Sequence, residues 1–174
     1  MHDTGVRVFS PARDAETAMT MVAHNAATLR ALNAHVEALV TVVSARESHA
    51  ATQHAVDRLV DWCRTELLPH ARAEENTLYR PAGESEVGGL LVEGMLAEHR
   101  AIYALVDDLR AATEPVRAVA LAGALAAVVA GHMAKEDEQL LPLLVHSPYI
   151  ALEDALRGLS ALVGEEVEAR AAIA

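Results

Sequence analysis

Cysteine, phenylalanine and tryptophan occur once each in this 174-residue chain, and tyrosine three times. The lone thiol, Cys63, excludes an internal disulfide and any multi-cysteine zinc site. Basic residues are also short: 14 Lys+Arg stand against 25 Asp+Glu, a formal net charge of −11. Phosphate backbones and anionic lipid surfaces both want clustered Lys and Arg. No nucleic-acid partner and no membrane partner is therefore expected. Met1 to Arg7 has no apolar stretch after its basic residue, so it does not read as a signal peptide. The longest apolar run, Ala118 to Gly131, falls short of the ~20 residues that span a bilayer. It reads as a buried core helix, and cytoplasmic residence is the expectation.

What is abundant points one way. Hydrophobic residues make up 52% of the chain and aromatics only 3%, the excess being mostly Ala and Leu. These are strong helix formers, whereas strands favour β-branched and aromatic side chains. The fold class expected is all-α, in one domain over 1–174, since the length suits one domain with a core of its own. Against so few aromatics, nine histidines stand out.

Punctuation divides the chain into helices. Pro11 precedes a first helix over about 13–45, with Met21, His24, Thr28, Leu32, His35, Val36, Leu39 and Val43 on one side at helical spacing. Ser48 is placed to cap a second, which runs to about Tyr79 before Pro81-Ala82-Gly83. Gly88-Gly89 precedes a third, over about 89–112. Pro115, at a first-turn position, opens a fourth that reaches about Leu144. An amphipathic segment over about 149–170 follows His146-Ser147-Pro148. Long helices with short connections imply an up-down-up-down four-helix bundle over about 13–145, with an additional C-terminal helix.

A weak internal repeat runs through it. His70 to Pro81 echoes His132 to Pro142: each has His-x-x-x-Glu, then Leu four residues on, then Pro. The helix before each carries one inward histidine, His24 in the first half and His99 in the second. His-x-x-x-Glu sets both side chains on one helix face. With this many His and Glu, two such pairs are unremarkable by count alone. Placement says more. His132 and Glu136 share a face with Leu121, Leu125, Val128, Val129 and Leu140, and His99 with Met95, Ile102, Tyr103 and Val106. A buried carboxylate must be paired or bind a metal. Counting residues back to the connecting loops, at ~1.5 Å each, puts His24, His70, His99 and His132 in one layer of an antiparallel bundle.

Imidazole and carboxylate donors without thiolate suit Fe, Mn or Zn. Two carboxylates and four imidazoles favour a pair of metals over one. Ferritin-like di-iron bundles use Glu-x-x-His, which occurs nowhere in this chain.

His24, His70-x-x-x-Glu74, His99 and His132-x-x-x-Glu136, with the Leu and Pro after each Glu, resemble the hemerythrin-like (HHE) domain over about residues 15–145. That resemblance implies two iron ions with an oxo or hydroxo bridge. Glu74 and Glu136 would bridge them and the four histidines would cap them. Oxygen-carrying hemerythrins have a further His four residues after the one matching His99, and an Asp in the last motif. Here Tyr103 and Glu136 stand in those places. The His-x-x-x-Tyr pattern is similar to actinobacterial hemerythrin-like proteins associated with peroxide and nitric oxide chemistry. Tyr103 is thus either a core tyrosine whose hydroxyl finds a neighbour, or a phenolate on iron and a catalytic residue.

The expected function is a non-haem di-iron protein reacting with a small oxidant: hydrogen peroxide, nitric oxide or O2. Its competitors are a sensor or carrier of O2, NO or iron without turnover, and a biosynthetic di-iron oxygenase. His35 lies about 16 Å along the helix from His24, too far to join the same centre. His2, His49, His54 and His146 read as solvated, Cys63 as a small core residue, and Glu66 as a surface group or an orienting partner of His70.

Overall fold

The structure, a computed structural model, describes residues 11–84, 86–146 and 152. The amphipathic segment over about 149–170 and His2 lie outside these residues. Pro11 opens the first of four long helical rods, Pro11–Ser44. The second spans residues 49–82, the third Glu86–Arg110 and the fourth Pro115–Val145. Among the described residues there is no strand.

Local chemistry sets the ends. Ser48 is the N-cap of the second rod, its Oγ accepting from the Ala51 amide at 3.2 Å. Pro115 sits in the first turn of the fourth rod, where its missing N–H costs nothing. The first rod ends in a Schellman arrangement: Glu47 N–H bonds Val42 C=O at 3.2 Å and Arg46 N–H bonds Val43 C=O at 3.1 Å. Arg46 takes the left-handed position, φ 54°, that glycine usually fills. The third rod starts at Glu86, earlier than Gly88-Gly89 suggested, and includes both glycines.

The second and fourth rods are not uniform helices. Each widens into π turns, at Cys63–Leu67 and Glu75–Tyr79 in the second and at Glu136–Leu140 in the fourth. A proline follows every one of them by two residues: Pro69, Pro81 and Pro142. The pyrrolidine ring has no N–H and collides with the carbonyl four residues back in an α-helix. An extra residue in the preceding turn relieves that collision and shifts the bonding to i→i−5. Leu68 N–H thus reaches Cys63 C=O, and Leu141 N–H reaches Glu136 C=O. Such π turns gather at functional sites, and two of these three lie beside the carboxylates Glu74 and Glu136.

Buried residues recur in alternating steps of three and four, the stripe expected for packed helices. The third rod buries Val92, Met95, His99, Ile102, Val106 and Leu109, and the fourth Ala118, Ala122, Leu125, Val129, His132 and Glu136. The apolar members form two separate cores. One contains Leu32, Leu39, Leu59, Cys63, Leu109 and Leu125; the other contains Met21, Leu78, Met95, Leu140, Leu144 and Leu152. The order in which the chain meets them reverses from each rod to the next. Between the two cores lies a polar layer of Asn25, His70, Glu74, His99, His132 and Glu136, all buried.

By length and hydropathy alone Pro115–Val145 could cross a membrane. In this fold it packs along the first and third rods, and its buried His132 and Glu136 belong to the polar layer.

Candidate metal centre

Each rod contributes to the layer. The third brings His99 and the fourth His132, with Nε2 of one 3.0 Å from Nε2 of the other. The outer nitrogen of each ring is held by a carboxylate. Glu75 takes His99 Nδ1 at 2.8 Å, and Glu98 takes His132 Nδ1 at 3.1 Å. An ionised carboxylate only accepts, so Nδ1 of each ring is the donor and the Nε2 lone pair is free to turn inward. Two inward lone pairs this close repel unless a proton or a cation sits between them.

Glu74 enters the same space, and its two oxygens serve different neighbours. Oε2 lies 3.6 Å from His99 Nε2, whereas Oε1 lies 2.6 Å from His70 Nε2. The second contact is short but not aligned as a hydrogen bond, so His70 Nε2 and Glu74 Oε1 are both buried without a hydrogen-bond partner. Burial alone would raise the Glu74 carboxyl, but the charge of His70, with His99 and His132 nearby, holds it well below the usual carboxylate range. Burial likewise opposes charge on His70, and Glu74 outweighs it, raising the imidazole above its ordinary value. Glu136 goes the other way: burial and the Glu74 charge push it well above the carboxylate range. Close packing thus drives the two carboxyls in opposite directions.

The three oxygen and nitrogen donors of Glu74, His99 and His132 lie within 4.8 Å of one another. Ligands bonded to one ion at ~2.1 Å stand roughly 3–3.5 Å apart; the two Nε2 atoms at 3.0 Å meet that spacing and Glu74 Oε2, 3.6 Å from His99 Nε2, lies just outside it. Glu136 Oε1 adds a donor 3.7 Å from His132 Nε2. Orphaned buried atoms, converging lone pairs and an imidazole–carboxylate donor set together fit a cation.

His24 lies at the rim. Its ring centroid is 4.8 Å from that of His70, but the side chain is exposed, not inward as its sequence neighbours suggested. Among the described side chains of the first rod the buried polar one is Asn25, whose Nδ2 donates to Glu136 Oε2 at 3.1 Å and to Asp137 Oδ1 at 2.9 Å. A signal for it existed: Met21, Asn25, Leu32 and Leu39 are the buried positions, and His24 falls one residue off that seam.

Two tyrosines bear on the centre in different ways. Tyr103 is half-buried, and its hydroxyl donates to Glu75 Oε1 at 3.3 Å rather than facing the donor cluster. Burial first, and then Glu75, pushes that phenol up to about 12. The hydroxyl at the cluster is that of Tyr79. It lies 3.0 Å from His132 Nε2, 3.3 Å from His99 Nε2 and 3.1 Å from Glu136 Oε1. One phenolic proton cannot satisfy three such neighbours at once. Burial, then Glu136 and Glu74, drive its acidity far down, so the metal-free protein holds it as a neutral phenol. Sequence spacing hides Tyr79, because five residues after Glu74 is the wrong face of an α-helix. The π turn at Glu75–Tyr79 brings it round.

Residues set aside on sequence grounds lie away from the cluster. His35 is half-buried against Trp62, ring centroids 5.5 Å apart, and His49, His54, His146 and Glu66 are exposed. Cys63 is fully buried in the first core.

Residues 19–144 match the hemerythrin HHE cation-binding domain. The chain belongs to that family. The matched span takes in all seven residues expected at the site and the two missed by sequence, Asn25 and Tyr79. Comparison with curated proteins and with solved structures returns no match. Membership accounts for a cation-binding centre, and the donor set found here is one that would hold iron.

Proposed function

We infer that this hemerythrin-family chain is a non-haem di-iron protein that reacts with a small oxidant, hydrogen peroxide or nitric oxide and also O2. It is an up-down-up-down bundle, as the reversing order of its two cores from rod to rod supports, and it resides in the cytoplasm. The ligands are His24, His70, Glu74, His99, His132 and Glu136. The observation that carries two ions rather than one is Glu74, whose Oε1 faces His70 while Oε2 faces His99. One carboxylate so placed can join two cations, each with imidazoles of its own.

Bound iron supplies the electrons that a small oxidant takes up. The chain supplies the rest. His99 and His132 are pre-set with their lone pairs inward by Glu75 and Glu98, so little reorganisation accompanies loading. Tyr79 holds a proton at its hydroxyl within hydrogen-bonding distance of Glu136 and His132. Were iron bound, that hydroxyl would be placed to hydrogen-bond a small ligand held at the centre. Met21, Met95, Leu78 and Leu140, all buried in the second core, close one side of the layer.

The experiment is steady-state turnover of hydrogen peroxide and of nitric oxide by iron-loaded protein, beside a His132→Ala control. Sustained turnover that the control lacks supports the reading. Binding without turnover assigns a sensor or carrier instead, and oxidation of an organic substrate an oxygenase.

A further inference from the structure

Outside the donor cluster, each inward histidine is backed by a chain of side chains that leads to the surface, and the two chains differ. On the third rod's side, His99 Nδ1 meets Glu75 Oε1 at 2.8 Å, and the same oxygen accepts from Tyr103 at 3.3 Å. The Arg72 guanidinium lies over the Tyr103 ring, 5.8 Å from its centroid. On the fourth rod's side, His132 Nδ1 meets Glu98 Oε2 at 3.1 Å, while Lys135 binds Glu98 Oε1. Both carboxylates are half-buried, so each bond is partly shielded from competing water. One arm ends in a phenol and the other in an ammonium group.

We propose that Glu75 and Glu98 are positioning residues, each fixing one inward histidine through its outer nitrogen, and that Tyr103 and Lys135 act on the centre only through them. Neutral imidazole left to itself populates both tautomers, and the wrong one would point an N–H at the cluster. A carboxylate on Nδ1 removes that choice and freezes the ring's rotation. Tyr103 then restricts where Glu75 can sit, and Lys135 does the same for Glu98. The proposal rests on reading the cluster as a metal centre, but the ring orientation it assigns exists without metal.

Two measurements separate these layers. In metal-free protein, long-range 15N–1H NMR of the histidine rings should show a proton on Nδ1 of both His99 and His132. Glu75→Ala should remove that of His99 alone, and Glu98→Ala that of His132 alone. Glu75→Gln and Glu98→Gln keep an acceptor and should largely preserve it. Cobalt(II) titration should then show affinity lowered about 10–100-fold by each alanine variant. Tyr103→Phe and Lys135→Met should give smaller losses. Combining Tyr103→Phe with Glu75→Ala should add nothing to Glu75→Ala alone, and likewise Lys135→Met with Glu98→Ala. Additive losses, or Nδ1 protons indifferent to the carboxylates, overturn the proposal. Wild-type protein with both Nδ1 protons in place and no cobalt uptake supports the orientation while overturning the metal centre.

Discussion

Nε2 of His99 and Nε2 of His132 lie 3.0 Å apart, although each ring is tied at its other nitrogen to a different carboxylate. The fold holds two basic atoms face to face in its interior, where water cannot separate them. Such a contact is stable only with something positive between the nitrogens. Loading with a divalent ion should therefore stabilise the protein, by about 2.7 kcal/mol once the free ion reaches 100 times Kd. Thermal denaturation with and without Co(II) checks this: the wild-type Tm should rise on loading and the His132→Ala Tm should rise much less.

Tyr79 and Tyr103 are distinguishable by removing one oxygen atom from each. Tyr79→Phe leaves Glu136 and His132 short of a hydrogen-bonding partner inside the core, which should cost about 1–3 kcal/mol in metal-free protein. It should also change the visible absorption of the iron-loaded form. Tyr103→Phe should leave that absorption nearly as it was and cost less than about 1 kcal/mol, because its hydroxyl meets Glu75 near the surface. Urea unfolding and absorption spectra of the two variants read both effects. A spectrum altered by Tyr103→Phe and untouched by Tyr79→Phe would exchange their roles.

Cys63 is fully buried in the apolar core, and burial pushes its thiol up to about 12. At pH 8 the thiolate fraction is then about 10⁻⁴, and the nucleophile is the thiolate. A disulfide reagent such as dithiobis-nitrobenzoate should find no reactive thiol in the native protein over minutes. It should find the single cysteine at once in denaturant. Rapid labelling of native protein would mean that the first core is open.

Arg46 occupies a left-handed position, φ 54°, at the end of the first rod. An L side chain is disfavoured there by roughly 1–2 kcal/mol. Arg46→Gly should stabilise the fold by up to about 1 kcal/mol, after glycine's added freedom in the unfolded chain is counted. The midpoint of urea unfolding should move up; a fall would show that Arg46 makes a compensating contact.

The helices were legible because capping and periodicity are local. Ser48 and Pro115 mark their ends as their side chains dictate, and His99, His132 and Glu136 fall on regular stripes of three and four. What stayed hidden follows from departures from the α period. Tyr79 reaches the cluster only because a π turn adds a residue after Glu74, and no count based on 3.6 residues per turn could place it. The prolines two residues beyond each π turn were visible, but a proline alone does not say that the turn before it widens. Asn25 was missed for another reason: histidine draws attention as a ligand, and the buried seam through Met21 and Leu32 passes one residue to its side. Tyr103 shares a face with His99, as expected, yet Glu75 intercepts its hydroxyl. Only the packing of the second rod against the third sets that contact.

What the polar layer holds decides what this protein does. Protein loaded anaerobically with Fe(II), desalted and analysed for metal should carry about two iron ions per chain, as carboxylate-bridged bundle sites do. Glu74→Ala, which removes the carboxylate facing both sets of imidazoles, should carry one or fewer. Wild-type protein that retains no iron, or retains as much as Glu74→Ala does, would contradict the assignment.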